Sequence, residues 1–255
     1  YIGRVGDGTD YDDGIYILLK EIVDNAVDEY IMGYGDRIRV SLDGSRVTVR
    51  DYGRGIPLGK VVECVSRINT GAKYRDEVFQ FSVGLNGIGT KAVNALSRNF
   101  TVRSHRGGEY SGAVFERGKL LEQPKGKMPD ELDGTLVSFE PDPEIFGDAA
   151  FAAEHVDRRL KLYSFLNAGL RIEYNGRVFC SRNGLLDLLR EEVGDEALYP
   201  PLYYRSKTLE LAIAHTQRFE ETFLSFVNGQ FTTDGGTHLS AFREGLVKAV
   251  NEFSK

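Results

Sequence analysis

Residues 14–51 restrict the fold more than any other stretch of the chain. Over 14–32, Ile15, Leu18, Leu19, Ile22, Val23, Ala26 and Val27 recur at three- and four-residue steps, which makes one apolar helix face. Asp12 or Asp13 stands where an N-cap belongs, and Gly33 marks the stop. Arg37-Ile38-Arg39-Val40-Ser41-Leu42 then alternates as a strand, Asp43-Gly44 turns it, and Arg46-Val47-Thr48-Val49-Arg50-Asp51 alternates back. Further helices are expected over 58–69, 88–98, 150–166, 183–192 and 237–253. Several strands are expected over 100–140, with more near 207–215 and 221–228. This mixture predicts an α+β chain in which helices pack on one face of a largely antiparallel sheet. Pro200-Pro201 breaks the pattern and suggests a domain boundary.

Composition narrows the class. The 255 residues are 41% apolar and 27% charged, a globular balance. The net charge of -6 disfavours a chain that grips nucleic acid unaided, because phosphate contacts need a surplus of Lys and Arg. Two cysteines, Cys64 and Cys180, are too few for a disulfide framework, so a reducing cytoplasm is the expected location. No stretch has the ~18 apolar residues of a membrane span. The chain opens at Tyr1 without methionine and ends just after a helical pattern, which reads as a fragment. Its 29 glycines cluster, and such clusters let backbone approach a ligand.

Four short segments are candidates for chemistry. On the first helix, Glu21, Asp24, Asn25 and Asp28 share a polar stripe opposite the apolar face. The stripe is either a solvated acidic face or a site where a carboxylate activates water and an amide oxygen meets a hard cation such as magnesium. Asp51-Tyr52-Gly53-Arg54-Gly55-Ile56-Pro57 leaves a strand through two glycines. It is an ordinary loop exit, or one in which the Asp accepts from an exocyclic amine of the kind adenine presents. Gly84-Leu85-Asn86-Gly87-Ile88-Gly89 opens a helix, where bare N–H groups favour an anion. It is neither a phosphate loop, since Thr90-Lys91 follow in the wrong order, nor a dinucleotide fingerprint, whose glycine spacing differs. Asp133-Gly134-Thr135 precedes a strand; it makes a turn, and a threonine hydroxyl there would also suit a base-binding Asp.

The order of these segments carries more than any one of them. Glu-x-x-Asp-Asn-x-x-Asp-Glu on a helix, Asp-x-Gly-x-Gly about thirty residues on, a glycine cluster at a helix start and Gly-Thr before a strand resemble the ATP-binding domain shared by gyrase, heat-shock chaperones, histidine kinases and MutL. The finer resemblance is to the B subunit of bacterial type IIA topoisomerases, DNA gyrase or topoisomerase IV. It runs from Tyr1-Ile2-Gly3 through Glu21–Glu29, Asp51–Pro57, Gly84–Gly89 and Ala92-Val93-Asn94-Ala95-Leu96-Ser97 to Asp234-Gly235-Gly236-Thr237-His238.

The resemblance implies a two-layer α/β sandwich of the Bergerat (GHKL) type over 1–195. Part of a ribosomal-protein-S5-like α/β transducer follows over 196–255. It implies that Glu21 is the general base acting on water and that Asn25 meets magnesium and phosphates. Asp51 would bind the adenine amine directly and through a water shared with Thr135, with Gly55 and Ile56 shaping the pocket. Lys73 would approach the phosphates from a lid, and Gly84, Leu85, Asn86, Gly87, Ile88 and Gly89 would wrap them. Glu29, Arg54, Pro57 and Arg106 would form a rim that ATP-competitive inhibitors such as aminocoumarins reach; Glu29 and Arg54 could equally be a structural ion pair. The implied cofactors are ATP and Mg2+. The implied partners are a second copy of the chain, the topoisomerase A subunit and DNA, with no membrane.

The resemblance further implies an ATP-driven gate in which ATP binding dimerises two such domains and hydrolysis resets them. Two other readings are a clamp that uses ATP for dimerisation with negligible hydrolysis, and a histidine kinase. The kinase is disfavoured because that branch usually lacks the water-activating glutamate. Several positions depart from gyrase: Ile17 where many members carry an orienting histidine, Phe79 for a lid tyrosine, Asn86 for a histidine and Val83 for a glycine. These favour topoisomerase IV. The family's switch lysine from a Gln-Thr-Lys loop has no counterpart, nor does the amino-terminal arm. The fragment is therefore expected to bind nucleotide or inhibitors as a monomer and to hydrolyse ATP poorly.

Overall fold

The structure is a computed structural model that describes residues 2–67, 88–232 and 234–254. The opening helix is α1 (Gly14–Ile31). Its apolar stripe is fully inside: Ile15, Leu18, Leu19, Val23 and Val27 are each 0% exposed. Asp13 occupies the N-cap position but makes no capping bond. Its carboxylate is turned back to the preceding loop, where it takes Arg4 and the Gly8 amide. A longer-range cation has outcompeted the local cap. At the other end Met32 and Gly33 close the helix onto Asp28 O and Tyr30 O. Gly33 holds φ +87°, a conformation that suits glycine.

The hairpin follows as expected, with β1 (Arg37–Asp43) and β2 (Arg46–Asp51) paired from Ile38↔Asp51 to Asp43↔Arg46. The helix expected over 58–69 is a single 3-10 turn leading into α2 (Val61–Ser66). The helix expected over 88–98 is α3 (Gly89–Ala95), which ends early because Ser97 already belongs to a strand. The middle of the chain supplies β3 (Ser97–Arg106), β4 (Glu109–Glu116), β5 (Lys119–Glu122), β6 (Lys125–Lys127) and β7 (Gly134–Pro141). After a short turn of helix, α4 (Pro143–Phe146), come α5 (Ala153–Leu166), β8 (Arg171–Tyr174), β9 (Arg177–Phe179) and α6 (Leu185–Val193).

The strands of this part form one nine-stranded sheet in the order β5-β4-β3-β7-β2-β1-β8-β9, with β6 also on β4. All its pairings are antiparallel except β1 with β8. The side chains of one face, including Val40, Val49, Val102, Phe100, Phe115 and Phe139, are buried with the α1 stripe in one core. Each such side chain contributes roughly 1.5–3 kcal/mol. The opposite face is polar, with Thr48 and Ser138 hydrogen-bonded across β2 and β7 at 3.0 Å and Arg39 paired with Glu173. Helices on one side and polar side chains on the other make a two-layer α+β sandwich.

Further elements follow Pro200-Pro201. They are the hairpin β10 (Leu202–Arg205) and β11 (Glu210–Ile213), a tight hairpin β12 (Phe226–Val227) and β13 (Gln230–Phe231), and α7 (Thr237–Phe253). The strand expected over 221–228 is paired only at Phe226 and Val227. No described helix is long and apolar enough to cross a membrane.

Candidate nucleotide site

The polar stripe of α1 is not a solvated face. Asp24 and Asp28 are each 1% exposed, so the acidic residues are enclosed by other elements. Asn25 donates its side-chain amide to Glu21 O at 2.6 Å and to Thr90 Oγ1 on α3 at 2.8 Å. A backbone carbonyl can only accept, so the nitrogen must face it. The carboxamide oxygen therefore takes the other arm of the fork. It is a hard donor of the kind magnesium selects. Among the described residues no group of three or more His, Cys, Asp or Glu could hold a metal.

Glu21 lies against the start of α3. A Cβ placed on Gly89 would fall 1.8 Å from Glu21 Oε2, so the carboxylate rests directly on the Gly89 backbone and would have to swing aside for a larger residue. Ile88 is the residue that enters α3. Lys73, Gly84, Leu85, Asn86 and Gly87, with Phe79 and Val83, lie outside the described residues.

The second half of the site is built at the end of β2. Asp51 is 7% exposed. Its Oδ1 accepts from Gly53 N at 2.9 Å and Thr135 N at 3.2 Å. Both bonds use the same oxygen, Oδ1. Burial pushes the carboxyl up to about 6, against the lowering effect of those two amides. Gly134 brings β7 this close: its φ is +131° and a Cβ would sit 2.3 Å from Asp51 O. Beyond Asp51 the loop is held by Ser104 Oγ, which donates to Ile56 O at 2.6 Å. Gly55, at φ +71°, leaves no room for a Cβ beside His105 O. Ile56 is half-buried and packs on the core.

At the rim, Arg54 forks onto Glu29, with Nε on Oε2 at 3.1 Å and a terminal nitrogen on Oε1 at 2.9 Å. Its guanidinium stacks 4.2 Å from the Tyr34 ring centroid. Arg106 reaches toward Gly55 O at 3.5 Å, and Pro57 is exposed.

Glu21, Asn25 and Gly89 thus form one group, and Asp51, Thr135, Gly55 and Ile56 another, with α1 passing both. Sequence reasoning missed Thr90, which fixes the Asn25 amide, and Ser104, which anchors the Ile56 loop. Ser104 follows Phe100 and Val102 on the inward register of β3, and a small hydroxyl continuing that apolar run was the available signal.

Comparison with known proteins places the chain among relatives. Residues 10–142 match the model of the histidine kinase-, DNA gyrase B-, and HSP90-like ATPase family, and residues 184–255 match that of DNA gyrase B. All of the chain aligns with the B subunit of DNA topoisomerase 4 from Borreliella burgdorferi at 58% identity over 256 residues. It also aligns along its whole length with the DNA gyrase B subunit from Thermus thermophilus at 36% identity over 279 residues. The chain spans 43% of the length of each of these relatives. Among solved structures, the 43K ATPase domain of Thermus thermophilus gyrase B in complex with an aminocoumarin superposes with a TM-score of 0.76 at 33% identity, covering 100% of this chain and 70% of that one. The ATPase region of Saccharomyces cerevisiae topoisomerase II shares the fold, with a TM-score of 0.79 at 22% identity, over 94% of this chain and 68% of that one.

Proposed function

The chain belongs to the histidine kinase-, DNA gyrase B- and HSP90-like ATPase family as the ATPase region of a type IIA topoisomerase B subunit, and from that premise we propose how its residues divide the work. Asp51 takes the exocyclic amine of adenine on Oδ2, and Thr135 holds the carboxylate in place from β7. Gly55 and Ile56 form the wall of that pocket. Asn25 Oδ1 is the atom that would hold magnesium. The metal, bound with the triphosphate, supplies neutralisation of the phosphate charge. Glu21 accepts the proton of the attacking water. Phosphoryl transfer to water demands positioning and charge stabilisation more than covalent chemistry, and the fixed Asn25 fork and the Gly89–Glu21 contact are positioning devices of that kind.

The observation that carries this reading is the spacing of the two groups on α1. Glu21 faces α3, and Glu29, eight residues later, braces the loop after Asp51. Eight helical residues advance about 12 Å, the order of length of an extended nucleoside triphosphate. The phosphate end extends on sequence alone to Lys73, Gly84, Leu85, Asn86, Gly87 and the Ile88-Gly89 amides. Glu29, Arg54, Pro57 and Arg106 make up the rim for ATP-competitive inhibitors. We assign residues 1–195 to nucleotide binding and 196–255 to a transducer. In the whole protein, nucleotide binding would dimerise two copies of the chain around DNA in an assembly with the A subunit, in the cytoplasm.

Replacing Glu21 tests the assignment. In the full-length protein assembled with its A subunit, Glu21→Gln is expected to lower ATP turnover by about 100-fold or more, with affinity for a non-hydrolysable ATP analogue held within about threefold. Wild-type turnover in that variant would remove Glu21 from the mechanism.

A further inference from the structure

Behind Glu21, on the side away from α3, lies a polar cluster that the nucleotide reading leaves unused. Its centre is Asp24, whose carboxylate is 1% exposed. Tyr163 of α5 donates its hydroxyl to Asp24 Oδ1. Lys20 Nζ donates to Oδ2 at 2.7 Å. Gln230, from the β12–β13 hairpin 206 residues further along the chain, donates to the same oxygen at 3.3 Å. A buried carboxylate is costly unless it is paired and hydrogen-bonded, and these three donors come from three separate elements.

The cluster does more than neutralise Asp24. The Lys20 ammonium stands 3.9 Å from Glu21 Oε1 while bound to Asp24. Both side chains are mostly covered, Lys20 at 20% and Glu21 at 16% exposure, so water screens the pair less than at an open surface. A cation this close restrains the rotamers of the neighbouring carboxylate. Asp24 in turn holds the ammonium in place through its bond at 2.7 Å. Ile17, one turn earlier on α1, is apolar and has no hydrogen bond to offer. With Lys20, Tyr163, Gly229, Gln230 and Phe231 it lines a cavity of about 160 Å³ between α1, α5 and the hairpin. The hairpin of the second region therefore meets the first region at the group that faces the candidate base.

We propose that Lys20, held by Asp24, is a positioning residue for the Glu21 carboxylate, and that the β12–β13 hairpin acts on hydrolysis through Gln230 and Asp24. This inference rests on Glu21 being the general base. It assigns Lys20 no contact with nucleotide, so its loss should affect turnover and spare binding.

The test uses the full-length protein assembled with its A subunit and compares Lys20→Met, Lys20→Arg, Gln230→Ala, Glu21→Gln and the double variant Lys20→Met/Glu21→Gln. The readouts are kcat and KM for ATP, and equilibrium affinity for a non-hydrolysable analogue. Lys20→Met is expected to lower kcat by about 10-fold or more, with affinity within about twofold of wild type. Lys20→Arg keeps the cation and should recover to within about threefold of wild type. Gln230→Ala should lower kcat by about two- to threefold at unchanged affinity. In the Glu21→Gln background, Lys20→Met should cost nothing further, because the group it serves is gone. Wild-type kcat in Lys20→Met overturns the proposal, as does equal impairment of Lys20→Met and Lys20→Arg, or a parallel loss of affinity. If Lys20→Met fails to fold, Gln230→Ala decides: lowered kcat at wild-type affinity supports the coupling and wild-type kcat overturns it. The parent reading fails separately, when Glu21→Gln itself keeps its turnover.

Discussion

Two carboxylates lie at opposite ends of the same central strand pair and are treated in opposite ways. Glu140, at the closing end of β7, is nearly enclosed and takes Arg46 at 2.7 Å, Arg98 at 2.6 Å and Asn99 at 3.2 Å. The Arg98 hydrogen bond leads in pulling its carboxyl down to about 2, helped by Asn99 and Arg46. Asp51, at the end of β2, is just as buried but has only two backbone amides, both on one oxygen. Burial pushes it up to about 6, and Glu29 adds to the rise. The strands between them are in continuous register from Val47↔Phe139 to Arg50↔Leu136, so local geometry does not separate the two ends. What separates them is whether the protein supplies a charge partner. One end of the sheet is finished by the chain itself. The other is left short of a donor, as binding sites are where burial and function share a group.

The most severe test is to remove the charge at the unfinished end. In Asp51→Asn the side-chain oxygen can still accept from Gly53 and Thr135, which places an NH2 group where Oδ2 stood. A donor would then face the adenine amine, itself a donor. ATP affinity is expected to fall by about 100-fold or more, read by calorimetric titration. The ligand-free protein should become more stable at neutral pH, because the neutral amide escapes the desolvation that raises Asp51. Unchanged affinity would mean that the deficit at this end has no ligand behind it.

The two ends should also differ in how stability follows pH. A carboxyl raised from 3.8 to about 6 in the folded protein binds protons more tightly folded than unfolded. Stability from Asp51 therefore falls as pH rises from about 4 to about 6, by up to about 3 kcal/mol, and stays at the lower level above that window. Glu140 runs the other way. Its folded value of about 2 lies below 4.5, so its contribution is present above about 4.5 and is lost as pH falls toward about 2. Chemical denaturation across pH 2–8, in wild type and in each Asn or Gln variant, should remove one slope at a time. A common slope at both ends would erase the contrast.

How much of this was legible in the sequence depends on how far away each partner lies. The α1 stripe and the 37–51 hairpin follow from steps of three, four and two residues, and the structure reproduces both within a residue. Asp51 was legible as a candidate binding residue from the glycines after it, since a strand leaving through Gly53 and Gly55 invites close approach. Its raised carboxyl was not legible, because the burial comes from β7, 84 residues on. Asp24 shows the limit more sharply. On the helix alone it belongs to a polar stripe that a solvated face would explain equally well. Its burial is set by Tyr163 and Gln230, from α5 and a hairpin that no local period connects to α1. Asp13 fails as a cap for the same reason, since Arg4 reaches it by a fold of the chain. The parallel pairing of β1 with β8 joins residues more than 130 positions apart, and no alternation within either strand announces it.

At the finished end, Glu140→Gln should cost about 1–2 kcal/mol of stability at neutral pH. It leaves Arg98 and Arg46 without an anion, but both side chains are about half exposed and can turn to water. ATP affinity should not change, because Glu140 is at the far end of the strands from Asp51. Affinity that fell with stability would show the sheet transmitting the loss.

The smallest effect is expected at Arg54, and it separates two explanations of the contrast. Arg54 stands at the Asp51 end, yet its partner is satisfied in the Glu140 manner: Glu29 accepts from the guanidinium on both oxygens and from the Arg54 backbone amide at 3.0 Å. If satisfaction governs, Arg54→Ala should behave as a partly exposed ion pair does. It should lose no more than about 1 kcal/mol of stability and shift ATP affinity by no more than about twofold, since the backbone amide still holds Glu29. If position governs, every charge at that end of the sheet is tuned for the ligand. Arg54→Ala would then lose ATP affinity out of proportion to its stability and rank beside Asp51→Asn rather than below Glu140→Gln. Thermal unfolding and calorimetric titration of this one variant therefore decide which property of the two ends the comparison is about.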